Sequence, residues 1–158
     1  MNKKTLFITR GACVAAMYVA LTMISAAFGL SSGAVQVRIS EALCILPAFF
    51  GAAVPGLGVG CFAANMITGA PLWDCIIGSL ATLLGAIGTY KWGKTPFHAA
   101  IFPIAANTVA VPLVLRYVYK VPGALWVLGA GVLAGEVISC GILGAALYAA
   151  VRKSKRFR

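Results

Sequence analysis

Apolar residues along this chain fall into six runs, separated by short polar, glycine- or proline-containing breaks. The runs cover about residues 11–29, 41–53, 57–68, 73–90, 97–115 and 123–151. A helix needs about 20 apolar residues to cross the hydrocarbon core of a bilayer. The first, fourth, fifth and sixth runs reach or approach that length. The second and third are shorter, which predicts helices that tilt, break or sit partly inside a bundle. Between these two, Pro55-Gly56 reads as a tight turn, and Gly69-Ala70-Pro71 reads as the next one. Lys91-Trp92-Gly93-Lys94-Thr95-Pro96 reads as a basic loop, and Arg116 to Pro122 as a basic, aromatic turn. Pro103 and Pro112 are expected to kink the fifth helix. The first run shows no convincing cleavage site and reads as a retained span rather than a signal peptide. The expected fold is an all-α integral membrane protein, a six-transmembrane-helix bundle forming a single domain over residues 1–158.

Composition agrees with the pattern. The chain is 61% hydrophobic and 10% charged, with a mean hydropathy of +0.97. Soluble domains carry about 25% charged residues, and a soluble chain of this size could not hide so much apolar surface. A soluble enzyme is excluded, and so is a nucleic-acid binder, despite a net charge of +10. Charge then predicts orientation. Of the 13 Lys and Arg residues, ten (Lys3, Lys4, Arg10, Lys91, Lys94, Arg152, Lys153, Lys155, Arg156 and Arg158) fall on the side of the two termini. Arg38, Arg116 and Lys120 fall on the other. The positive-inside rule puts both termini in the cytoplasm.

Little of the familiar chemistry of sites is available. Glu41, Asp74 and Glu136 are the only acids, His98 is the only histidine, and the five cysteines are scattered through apolar runs without a CxxC spacing. No metal or other cofactor is expected. Gly88-Thr89-Tyr90-Lys91-Trp92-Gly93-Lys94-Thr95 matches the nucleotide phosphate-loop pattern letter for letter. That loop normally joins a strand to a helix and cradles phosphate on backbone N–H groups. Here an apolar run of membrane-crossing length precedes it, Pro96 removes a donor, and Glu136 is the only acid downstream, so it reads as a basic turn.

The polar residues inside the apolar runs are the better candidates. Glu136 lies near the middle of the sixth run with no cation within three turns. An intramembrane carboxylate is costly and marks a functional site by default, the alternative being a hydrogen-bonded group that packs two helices. Asn107 sits near the middle of the fifth run and Asn65 near the outer part of the third. Each is either a ligand contact or an interhelical hydrogen bond. Arg38 and Glu41 stand three residues apart at the outer mouth. They would share a helix face as an ion pair, with Ser40 as a cap, or form a polar gate. Asp74 opens the fourth span, where a carboxylate also complements the helix dipole. Together with Gln36 these residues describe an outward-opening pocket of carboxylates and amides, suited to a small polar solute rich in N–H donors. Trp73, Trp126 and Tyr117 near the outer face either stack on a planar ring or anchor the interface. Ala12, Ala16 and Ala20 recur every four residues on the first span, a small-residue face that lets another helix approach closely.

Val35-Gln36-Val37-Arg38-Ile39-Ser40-Glu41-Ala42-Leu43 with Leu46-Pro47 resembles the QueT family signature. Val54-Pro55-Gly56-Leu57, Gly60-Cys61, Asn65, Asp74, Gly78 to Leu84, Asn107 and Gly135-Glu136 extend the resemblance over nearly the whole chain. The resemblance implies a substrate-binding (S) component of an energy-coupling factor (ECF) transporter, with the six-helix S-component bundle. It implies uptake of a queuosine precursor, a 7-deazaguanine such as the 7-aminomethyl or 7-cyano form or queuine, across a bacterial plasma membrane. It implies partners: a transmembrane coupling subunit, which Ala12, Ala16 and Ala20 would meet, and two cytoplasmic ATPase subunits that hydrolyse ATP. Gln36, Arg38, Glu41, Asn65, Asp74, Asn107 and Glu136 would bind the substrate, with Glu136 and Asn107 deep and Gln36, Arg38, Glu41 and Asp74 nearer the mouth. Other readings are an S component for another small vitamin-like solute, a membrane-embedded enzyme, or a small channel.

Overall fold

The computed structural model describes residues 2–30 and 35–154. Residues 31–34 of the predicted polar break and the cations Lys155, Arg156 and Arg158 lie outside the described residues. The described chain is helical throughout, without strands. Helix α1 (Lys3–Ala27) is followed by a 3₁₀ helix (Ile39–Ala48), then α2 (Ala53–Ile67), α3 (Leu72–Trp92) and α4 (Pro96–Tyr117). The last helix, α5 (Leu125–Lys153), contains a wider π segment at Val137–Leu143. Helices α1, α3, α4 and α5 are long and apolar enough to cross a membrane.

Local chemistry explains most of the boundaries. The Asn2 side chain accepts from Lys4 N–H at 3.4 Å and starts α1. Thr95 caps α4 by accepting from His98 N–H at 3.2 Å, with Pro96 in the first turn, where its missing N–H breaks no bond. Gly29 (φ 68°) and Gly69 (φ 73°) stop α1 and α2 in the left-handed conformation that glycine adopts without penalty. Pro103 and Pro112 are both buried within α4, which continues through them.

The second and third elements differ from the sequence expectation. The run expected over about 41–53 is a 3₁₀ helix ending at Ala48, and α2 begins at Ala53 rather than near Leu57. The reversal falls at residues 50–52. Pro55-Gly56 lies inside the first turn of α2, a position that tolerates proline. At about 2.0 Å rise per residue, ten residues of 3₁₀ helix extend about 20 Å, against about 15 Å for an α-helix. Its residues Ser40 to Pro47 are all buried, so it forms the middle of the bundle.

One end of the bundle gathers the start of α1, the 50–52 reversal, the α3–α4 loop and the end of α5. Arg10 lies over the Phe50 ring, Gly51 faces the Tyr90 ring, and Tyr148 donates to the Lys94 carbonyl at 3.0 Å. Lys3, Lys4, Arg10, Lys91, Lys94, Arg152 and Lys153 therefore share that end. Residues 88–92 are the last turns of α3, so the phosphate-loop match is mostly helix. Gly88 packs on Phe102, and Thr89 donates to the Ala99 carbonyl at 2.7 Å.

Candidate functional site

The 3₁₀ helix and the residues that lead into it are tied at three points to α1 and the turn that follows it. Val37 N–H donates to Leu30 C=O at 2.8 Å, Ile39 N–H to Ser25 Oγ at 2.9 Å, and Thr22 Oγ1 to Ser40 Oγ at 2.8 Å. Ser40 thus joins two helices instead of capping one. These bonds place Arg38 at the rim of an internal cavity and send Glu41 down into it. The buried stripe of α1 that receives the segment (Val14, Tyr18, Thr22, Ser25) follows helical spacing.

The cavity is small, about 20 Å³, and partly open to solvent. Gln36, Arg38 and Glu41 line one wall. The others follow four-residue steps, one side chain per turn on the same face: Asp74, Gly78 and Thr82 on α3, Asn107 and Val111 on α4, Val132 and Glu136 on α5. Cys61 of α2 completes it. An outer cavity of about 250 Å³ adjoins the chamber and shares Arg38 and Asp74 with it. Thr22, Asn65, Thr68 and Tyr119 line this vestibule.

The chamber is centred on a carboxylate–amide–carboxylate bridge. Asn107 Nδ2 donates to Glu136 Oε1 at 2.9 Å and to Glu41 Oε2 at 3.4 Å. The longer of the two bonds spans 66 positions of the chain. Glu41 is 2% exposed and well supplied: the Tyr18 hydroxyl donates to Oε1 and the Cys44 thiol to Oε2 at 3.1 Å. Glu136 is 8% exposed and differs, because its Oε2 is buried without a hydrogen-bond partner. An unpaired buried carboxylate oxygen is expensive, and Glu136 is one of the residues that line the cavity.

Seven polar residues were singled out from the sequence, and six of them line the chamber. Asn65 is the exception. It lies 3% exposed behind the wall, donating to the Asp74 carbonyl at 3.5 Å and the Cys61 sulfur at 3.8 Å, and it reaches the vestibule. Glu41 corrects the expectation of a mouth residue paired with Arg38. It sits beside Asn107 and Glu136, and the structure holds no Arg38–Glu41 ion pair among the described residues. The cause is the 3₁₀ geometry and the Tyr18 hydroxyl, which turn the carboxylate inward. Asp74, in the first turn of α3, accepts from the Tyr119 hydroxyl at 2.7 Å. Desolvation, then that hydrogen bond, hold the Tyr119 pKa well above the usual phenol range. Trp73, Tyr117 and Trp126 are exposed, Trp126 by 78%, and line neither cavity.

Sequence reasoning passed over Tyr18, Cys61, Thr82 and Tyr119. Thr82 was within reach, since it stands two helical turns from Asp74 on the same face. Tyr18 was not, because nothing in α1 announces which neighbour its hydroxyl meets.

A helical chain with four helices of membrane-crossing length around a buried polar chamber is a multi-pass membrane protein. The family model described as QueT transporter matches residues 8–153. A similar protein is "Queuosine precursor transporter QueT" of Lactococcus lactis subsp. cremoris (strain MG1363), 33% identical over 77% of this chain and 79% of that one. No solved structure matches. The chain belongs to the QueT transporter family.

Proposed function

We propose that this protein is the substrate-binding S component of an ECF-type transporter and captures a queuosine precursor, a 7-deazaguanine, from outside a bacterial plasma membrane. The observation that carries the reading is Glu136 Oε2, a buried carboxylate oxygen without a partner inside a chamber lined by carboxylates and amides. The name of the Lactococcus relative supplies the solute class. A deazaguanine offers N1–H and 2-NH₂ on one edge, two parallel donors that one carboxylate accepts together. The Arg38 side chain lines the chamber without a hydrogen bond to another described residue, and with Asn107 it offers donors for the adjacent O6.

The charge asymmetry supports cytoplasmic termini, which turns the vestibule outward. Ala12, Ala16 and Ala20 are all exposed, and Ala12 borders an apolar groove with Phe7, Ile8, Gly11, Pro55 and Val59. A face of this kind suits close approach of a membrane coupling subunit. ATP hydrolysis is assigned to two separate cytoplasmic subunits.

The test is the affinity of purified protein for a 7-deazaguanine and for the analogue without the 2-amino group. Wild type should prefer the 2-amino ligand. Glu136→Gln offers one acceptor and sets an NH₂ against a ligand donor. It should lose about 10- to 150-fold in affinity, the worth of one charge-assisted hydrogen bond, and most of that preference. A Glu136→Gln protein that binds both ligands as wild type does would make Glu136 a helix-packing residue.

A further inference from the structure

The outer surfaces of α1, α2 and α3 carry two apolar troughs that the polar chamber does not use. The first, about 280 Å³, runs between Phe7, Ile8, Gly11 and Ala12 of α1 and Pro55 and Val59 of α2, and no polar side chain lines it. The second, about 490 Å³, runs between α2 and α3, walled by Phe62, Ile76, Leu80 and Leu83. Pro55 and Val59 line both. These two stand one turn apart on α2, so they form a ridge with a trough on either side. Val59 is 63% exposed and tops that ridge. A helix is about 10–12 Å across with its side chains and would ride on the ridge. Acyl chains are slender enough to lie on both sides of it.

The first trough leads toward unmatched charge. Lys3, Phe7, Gly11 and Ala15 follow one another at four-residue steps on α1, and Lys4, Ile8 and Ala12 do the same. Both lysines therefore stand on the trough face, at its cation-rich end. Both are exposed. Helical side chains lean toward the N-terminus, which carries the two ammonium groups past the trough to the edge of the hydrocarbon. Residues 7–15 lie about 6–18 Å further along the axis, at about 1.5 Å per residue. That is the depth of acyl chains in one leaflet of a core about 30 Å thick. Glu41, Asp74 and Glu136 are the only Asp and Glu residues, and all three line the chamber. No acidic side chain is left to neutralise the lysines. What completes this surface is an anion that carries apolar chains.

We propose that the chain binds one anionic phospholipid of the leaflet on its cation-rich side, with the two acyl chains in the troughs flanking Pro55 and Val59 and the phosphate held by Lys3 and Lys4. The inference does not rest on the solute reading. The face proposed above for the coupling subunit shares Ala12 with the first trough, so docking there displaces one chain of this lipid.

The experiment titrates the purified full chain, in non-ionic detergent, with dioleoylphosphatidylglycerol, dioleoylphosphatidylcholine and glycerol phosphate, and counts bound molecules by native mass spectrometry. Wild type should retain one phosphatidylglycerol, bind phosphatidylcholine about 30-fold more weakly, and bind no glycerol phosphate where the lipid saturates. Each lysine near an anionic headgroup contributes about fivefold, so Lys3→Gln/Lys4→Gln should lose about 30-fold for phosphatidylglycerol. Lys91→Gln/Lys94→Gln removes two exposed cations from the same end but off the trough face, and should stay within about twofold of wild type. Ala12→Phe, which fills the first trough, should weaken phosphatidylglycerol roughly tenfold. Equal binding of the two lipids by wild type overturns the proposal without any variant. Equal loss in the two double variants overturns it as well, since the attraction would then be a diffuse effect of net charge. Glycerol phosphate bound as tightly as the lipid, or unchanged binding in Ala12→Phe, overturns the role of the troughs. Tm in the same detergent reports that each variant is folded.

Discussion

The two ends of the bundle are built on different terms. At the cation-rich end the helices meet backbone to backbone. A Cβ at Gly56 would stand 2.5 Å from the Gly11 carbonyl oxygen, and one at Gly85 2.6 Å from Pro103 Cα. Toward the other end the same helices carry Cys61, Thr82, Asn107 and Glu136, and there they part around the chamber. Along α3 the change takes a single turn, from Thr82 on the chamber wall to Gly85 against α4. Glycine lets lipid-embedded helices close where no side chain intervenes. Polar side chains hold them apart, because each must reach a partner. The difference teaches that one set of helices can be a sealed plug at one end and a solute pocket at the other, with the residue size at each turn deciding which.

The largest effect expected from breaking this division is on transport. Ala16→Trp puts a bulky ring on the exposed face of α1 without touching the chamber. It should abolish uptake in cells carrying the coupling proteins while ligand affinity of the isolated chain stays within about twofold of wild type. Uptake at the normal rate would remove the docking face.

Next comes the plug itself. Gly85→Ala forces Pro103 away and should cost about 1–3 kcal/mol, the range for overpacking a close-packed interior, read as a lower Tm in detergent. Gly78→Ala, at the chamber, meets side-chain atoms of Asn65 (3.3 Å) and Asp74 (3.5 Å) instead of backbone and should lower Tm less. Equal losses at the two glycines would erase the contrast between the ends.

A smaller effect is expected at the rim. Any Cβ at Gly135 would collide with the Gln36 carbonyl, so Gly135→Ala must push the Gln36–Arg38 segment off α5. Ligand affinity should fall roughly tenfold, mainly through faster release, measured by stopped-flow displacement. Unchanged release would mean that this segment does not cover the bound ligand.

The smallest expected effect is none. Lys94→Ala should alter neither ligand affinity nor nucleotide binding by the isolated chain, since residues 88–92 are helix. ATP binding by wild type that is lost in this variant would restore the phosphate-loop match.

Helical class, the four long apolar helices and the imbalance of cations were legible without coordinates, because hydropathy and charge belong to each segment whatever its neighbours are. Glu136 was legible as an outlier for the same reason: an acid within an apolar run is costly wherever the run packs. The 3₁₀ course of Ile39–Ala48 was not, since an apolar run of ten residues reads alike in either helix, and its geometry is held by bonds to Leu30, Ser25 and Thr22. Nor was the difference between Glu41 and Glu136. By sequence Glu41 is a mouth acid three residues from Arg38, yet in the fold it is buried and met by Tyr18, Cys44 and Asn107, while Glu136 keeps a bare oxygen. Tyr18 and Asn107 come from helices distant along the chain, and only packing brings them within hydrogen-bond range of Glu41. The amino-acid sequence by itself determined the solvent of each segment and the inventory of polar groups. The tertiary structure decided which groups meet, and so which carboxylate is left for a ligand.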